Sequence, residues 1–271
     1  MDTGFDPGSD IDLTQYTDPS SPVDPTDQAL VGDPTDPTGL ADPYDGTGDP
    51  YDGTGAEPYV DPSLDGVPDL PNFDPALSDP SAVLGDPGGA METWQQHTGD
   101  NACAIGAQGM VLEYLTGQEF SEEQLTQEAA SMGWFDVSSG TSPDDVGNLL
   151  EYHGVPVEHV EGASLEQLQQ VVAGGGAAIV GVDSSEIWTA GHDPSDEPVG
   201  MVPGVAGQDA DHAVWVTGFD NSDPAHPMVI LNDSGHPDGQ GLAVPLDEFM
   251  GAWQDSGNLL VSAGGAGTAA R

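Results

Sequence analysis

Basic side chains are almost missing from this chain. Its 271 residues hold one Lys or Arg, the terminal Arg271, against 48 Asp and Glu, for a formal net charge of -47. Without a Lys/Arg patch, binding to nucleic acid by phosphate neutralisation is excluded. Docking on an anionic membrane surface is excluded for the same reason. Cysteine is equally scarce. The single Cys103 rules out an internal disulfide framework and any multi-cysteine zinc or iron–sulfur site. No apolar run reaches the roughly 18 residues of a spanning helix, so no membrane insertion is expected. The opening MDTGFDPGSD lacks the basic and apolar regions of a secretory signal. The cytoplasm is therefore the default expectation, with export by another route left open. Aromatics make up only 6% of the chain.

So many carboxylates with so few cations repel one another and oppose compaction. Stability is expected to rise with ionic strength or added divalent cations. A salt titration that raises the melting temperature bears this out, and a flat one contradicts it.

What is present divides the chain in two. Residues 1–89 carry eleven Asp-Pro pairs and twenty acidic residues, with few aromatic or β-branched side chains to make a core. Proline removes backbone donors and steers the preceding Asp out of the helical region. The segment is expected to be disordered, extended and rich in polyproline II conformation. DPYDGTG occurs twice in succession, Asp42 to Gly48 and Asp49 to Gly55. The clustered aspartates lack EF-hand spacing and offer at most weak divalent-cation binding, so a solvated spacer is the simpler reading.

Residues 90–265 show regular periodicity and are expected to form one domain, with a flexible 266–271 behind it. Asn101 or Asp100 is placed to cap a helix from Cys103 to Thr116 that Gly117 stops. Ser121 with Gln124, and Ser164 with Gln167, have capping-box spacing ahead of helices over 122–132 and from 165 to about Gly174. Ser142-Pro143-Asp144-Asp145 starts a further helix that ends at Gly154. Strand-like runs follow at 155–160, 177–182, 212–219, 227–231 and 258–263, with a short helix over 246–254. Helices first and strands afterwards predict an α+β domain with a largely antiparallel sheet.

The sharpest chemical feature is Cys103 at a helix start. There the macrodipole and unpaired N–H groups lower a thiol's pKa, although most lone cysteines are simply small buried hydrophobes. His212 opens one strand, and Asp233 closes the next. If these strands form a hairpin, their outer ends meet and an imidazole stands between thiol and carboxylate. Asn232 and Asp233 project to opposite faces, so one of them serves. Asp220, after the first strand, is the runner-up acid. The Cys103 N–H supplies one oxyanion donor, and Gln95 or Gln96 on the incoming loop supplies a second. His97 is expected as an exposed loop residue in preference to a secondary base. Trp188 and Trp215 are expected as packing residues before walls of a substrate groove. His153, His159, His192, His226 and His236 show no metal-ligand spacing, and no cofactor is indicated.

An upstream Gln, a Cys opening a long helix, then HAVWVTGFD and VILNDSG resemble the papain-like cysteine peptidases of family C-39. Those enzymes process bacteriocin leaders, and a broader set of C-39-like domains is related to them. The likeness spans about residues 91–263. It implies a papain-like α+β fold with a helical N-terminal half and an antiparallel C-terminal half. It also implies hydrolysis of a peptide or amide bond through a thioester. By position, Cys103 looks like the nucleophile, His212 the base, Asp233 the orienting acid and Gln96 the oxyanion donor. The sequence departs from the pattern where Ala104 replaces the Gly that usually follows the nucleophile. The stretch from Asp183 to Gln208 is long for a loop and reads as a lid or binding segment. The charge implies a neutral or basic peptide or protein substrate. The competing reading is a catalytically inactive C-39-like binding module with an acidic disordered tail.

Overall fold

The computed structural model describes residues 71–188 and 210–265. Residues 1–70, the possible lid over 189–209 with His192, and the C-terminal 266–271 lie outside the described residues. In chain order the elements are β1 (Val83–Gly85), α1 (Pro87–Met91), α2 (Cys103–Thr116), α3 (Glu122–Met132), α4 (Asn148–Tyr152) and β2 (Val157–Val160). They continue with α5 (Leu165–Ala173), β3 (Ala177–Val182), α6 (Ser184–Trp188), β4 (His212–Asp220), β5 (Met228–Asn232), β6 (Gln240–Pro245), α7 (Leu246–Gln254) and β7 (Leu260–Ala263). The strands pair in the order β2-β7-β3-β4-β5-β6, every pair antiparallel, and β1 lies against the far end of β4. The expected α+β architecture is present. Among the described residues no helix is long and apolar enough to cross a membrane.

The period-2 alternation of the central strands sorts their side chains onto two cores. Ile179, Trp215 and Val261 pack with Ile105, Val111 and Leu112 of α2. Val180, Val214 and Leu260 pack on the opposite face with Leu168 of α5 and Phe249 and Trp253 of α7. Burial on both faces explains why β4 reads as an almost unbroken apolar run, HAVWVTGFD. Its first residue, His212, lies at the sheet end where Cys103 of one core and Trp188 of the other converge.

Several sequence expectations need correction. Ordered structure starts well before residue 90: Phe73 is buried, Asn72 bridges to Leu242, and β1 pairs Val83–Gly85 with Gly218–Asp220. The Asp-Pro pattern runs into this region and hides a three-residue strand. Neither Asn101 nor Asp100 caps α2. Asn101 adopts φ 57° and turns its amide to the Val137 carbonyl, and Ala102 is the N-cap. The helix foreseen from Ser142 breaks in two. Pro143–Asp145 makes one 3₁₀ turn, then Gly147 at φ 102° resets the backbone before α4. The buried Gln108 side-chain Oε1 accepts the N–H groups of Gly147 and Leu149 there. The Asp183–Gln208 stretch begins with α6, and β6 was missed because QGLAVP carries both Gly and Pro.

Candidate active site

Cys103 is the first residue of α2, a 14-residue helix whose N-terminus has no side-chain cap. With no cap to occupy it, the Ala104 N–H of the first turn bonds the sulfur. The side chain is half-buried. Burial alone would push the thiol up. A hydrogen bond from His212, the positive charge of that ring and the backbone N–H groups of Ala213 and Ala104 outweigh it, holding the thiol below its ordinary value.

His212 reaches Asp233 on its other side. Its Nε2 lies 2.7 Å from Asp233 Oδ1, with both side chains buried. Nε2 is thus committed to the carboxylate, which leaves Nδ1 to meet the sulfur. The hairpin that brings these residues together pairs Trp215 with Asn232, and Asp233 lies just beyond the end of β5. Asp233 is fully buried and fully satisfied: Oδ1 also accepts the Gly235 N–H at 2.8 Å, and Oδ2 accepts the Trp188 indole N–H at 2.8 Å. Burial would raise its pKa, but the charge and hydrogen bond of His212, then Trp188 and Gly235, bring it down to about 2. Burial likewise opposes the charged form of His212. The Asp233 carboxylate, then the Cys103 sulfur, hold the imidazole well above the ordinary histidine value. Directions on all three groups favour a thiolate–imidazolium pair backed by a carboxylate.

The open alternatives are separated by geometry. Asn232 faces away from His212, donating to the Ala90 carbonyl at 2.7 Å and accepting from the Gly241 N–H. Asp220 ends β4, roughly 26 Å from His212 at strand rise, and accepts from Ser78 and Ser222. Gln95 is exposed and donates to Glu113 at 3.0 Å, about 15 Å along α2 from Cys103. Gln96 is half-buried and precedes His97. The expectation for His97 is overturned. It is buried, its backbone N–H donates to the Ser234 carbonyl at 2.9 Å, and its Nδ1 meets the Gly99 carbonyl at 2.9 Å. Burial and the charge of His212 lower its pKa, which favours neutral imidazole.

Three residues hold the site together in ways that sequence reasoning did not foresee. Trp188 packs its ring 5.1 Å from His212 in addition to its bond to Asp233. Gly106, one turn into α2, lets the Asp233 loop approach: a Cβ there would meet Ser234 Oγ at 2.6 Å. Gly235 lies against the imidazole, and a Cβ there would meet His212 Cε1 at 2.7 Å. Trp188 was visible only as a packing residue and the Gly in NDSG only as part of a turn, while Gly106 gave no signal. A cleft of about 520 Å³ opens onto Cys103 and His212, walled by Ser139, Thr141, Asp211 and Asp255. Among the described residues no group of three or more His, Cys, Asp or Glu is set to hold a metal ion.

Comparison with known proteins finds that residues 90–261 match the sequence profile of the Peptidase_C39 like family. The chain belongs to that family. Uncharacterized proteins from Mycobacterium tuberculosis and Mycobacterium bovis are 28% identical over 211 residues, covering 69% of this chain and 86% of each relative. A crystal structure described as a C39-like peptidase from Bacillus anthracis aligns with a TM-score of 0.44 at 17% identity, covering 63% of this chain and 93% of that one. The C39-like segment starts inside α1, so β1 and Phe73 are ordered additions ahead of it.

Proposed function

We propose that this C39-like domain is a cysteine peptidase that cleaves a peptide or amide bond through a thioester on Cys103. The observation that carries the proposal is one buried imidazole engaged by a helix-terminal thiol on one side and by a carboxylate at 2.7 Å on the other. The Cys103 thiolate attacks the scissile carbonyl carbon. The oxyanion that develops takes hydrogen bonds from the Cys103 N–H and the Gln96 amide. The His212 imidazolium gives its proton to the leaving amine as the C–N bond breaks. Neutral His212 then takes a proton from water, the hydroxide adds to the thioester, and the thiolate departs. Asp233 holds the ring with Nδ1 toward sulfur and stabilises the imidazolium throughout. Ala104 in place of the family's usual Gly keeps its backbone N–H on the sulfur.

The substrate is a neutral or basic peptide. Asp211 and Asp255 line the cleft, and a domain of this charge repels acidic chains. The experiment combines iodoacetamide labelling across pH with a peptide library of graded charge. Expected are Cys103 labelling that persists well below pH 7, cleavage of neutral or basic members and loss of that cleavage on alkylation. Labelling with the midpoint of an ordinary thiol, about 8.5, together with no cleaved peptide, would overturn it.

A further inference from the structure

We propose that α6 is a clamp that positions the His–Asp pair at two points, Ser184 holding Asp211 beside His212 and Trp188 holding Asp233. The proposal rests on the reading of Cys103, His212 and Asp233 as the reacting set, and assigns Trp188 as a positioning residue within it.

Both ends of this five-residue helix are tied to residues that flank the imidazole. At its start, the Ser184 N–H donates to Asp211 Oδ1 at 3.0 Å and the Ser184 hydroxyl to Asp211 Oδ2 at 3.1 Å. Asp211 immediately precedes His212, and its own N–H donates to the Val182 carbonyl at 3.2 Å. At the other end, Trp188 donates to Asp233 Oδ2 at 2.8 Å and sets its ring edge-on to His212. The helix is itself anchored. Asp183 caps its first turn through Ser185, and the Asp183 N–H bonds to the Ala252 carbonyl of α7.

A packing role alone does not account for where the indole N–H goes. Trp253, also buried, sends its N–H to the ordinary backbone carbonyl of Leu259. That of Trp188 meets a carboxylate oxygen with no exposure and, among the described residues, no other donor. Without it, a buried Oδ2 is left unsatisfied. The carboxylate then relieves that cost by rotating or by taking a proton. Either change loosens its grip on His212 Nε2, and with it the aim of Nδ1 at the sulfur. The imidazole has little room to compensate, because Gly235 closes on the same Cε1–Nε2 edge of the ring, where a Cβ would meet Cε1 at 2.7 Å and Nε2 at 3.2 Å.

Trp188→Phe removes the donor and keeps a ring, whereas Trp188→Ala removes both. Cys103 alkylation by iodoacetamide is followed across pH in the full chain, alongside the melting temperature. For W188F the clamp predicts a rate at pH 6 about tenfold lower. It also predicts an acid midpoint moved upward, with the melting temperature within a few degrees of the parent. Ser184→Ala is expected to move the midpoint the same way by a smaller amount. A merely structural tryptophan lowers the melting temperature and leaves the midpoint unchanged. W188F and W188A profiles that superimpose on an acid-shifted parent profile would overturn the clamp alone. A parent profile of ordinary thiol character would instead overturn the peptidase reading beneath it.

Discussion

Replacing His212 with alanine is expected to lower hydrolysis of a peptide that the parent cleaves by a factor on the order of 10,000. The size follows from the number of tasks that meet on one ring. In the proposed mechanism His212 supports the Cys103 thiolate, protonates the leaving amine and activates the water that clears the thioester. The same change removes the His212 hydrogen bond and charge, leaving only the Ala213 and Ala104 N–H groups to oppose the upward push of burial, the largest single cause. The alkylation midpoint of Cys103 is therefore expected to climb to the ordinary thiol value or above in H212A. Both effects should appear in a protein that still melts cooperatively. Undiminished hydrolysis by H212A would remove the imidazole from the mechanism, and a thiol midpoint that stayed low would remove the ion pair.

Asp233→Ala is expected to cost about 3 kcal/mol of stability near pH 5, because it strips a buried imidazolium of its partner. The pH dependence follows from the two shifts. The Asp233 carboxyl is brought from 3.8 down to about 2 on folding. Its contribution is present above about pH 4 and is lost as the pH falls through 2. The His212 imidazole is raised well above 6.5. Its share is complete below about pH 6.5 and is lost as the pH rises through the folded value. The stability gap between parent and D233A should therefore be widest between about pH 4 and 6.5 and narrow on either side. Denaturant unfolding of both proteins from pH 3 to 9 measures it. A gap that does not vary with pH would mean that Asp233 contributes packing and no charge pairing.

Where local chemistry decides structure, the sequence was legible. Ser164 and Gln167 form the reciprocal cap that their spacing predicts, Ser121 caps α3, and Gly117 ends α2 in a left-handed turn. The runs 177–182 and 246–254 have the bounds read from composition. The β4–β5 hairpin that carries His212 toward Asp233 is the one the two strand-like runs allowed, and the family resemblance names the same two residues. What escaped depends on partners far along the chain. Trp188 meets a carboxylate 45 residues away, and nothing in SSEIW announces it. Gly106 and Gly235 are needed because of what packs on them, a property of the assembled site. Gln95 and Gln96 are indistinguishable as neighbours until Glu113 draws one of them outward. Asn101 had the composition of a cap, but its left-handed backbone sent the amide to Val137.

The strand ahead of the C39-like segment bears on how the domain is to be isolated. Cutting the chain at residue 90, where family likeness begins, would delete β1 and uncover the backbone of Gly218–Asp220, the last third of the longest strand. It would also empty the site that Phe73 fills beside Ile230 and Ala243. Such a fragment presents a raw ladder edge next to an apolar hollow, the combination that drives strand-to-strand association. A fragment meant to fold as the domain does should therefore retain Phe73 and β1, and the border of a shared family is not the border of a folding unit.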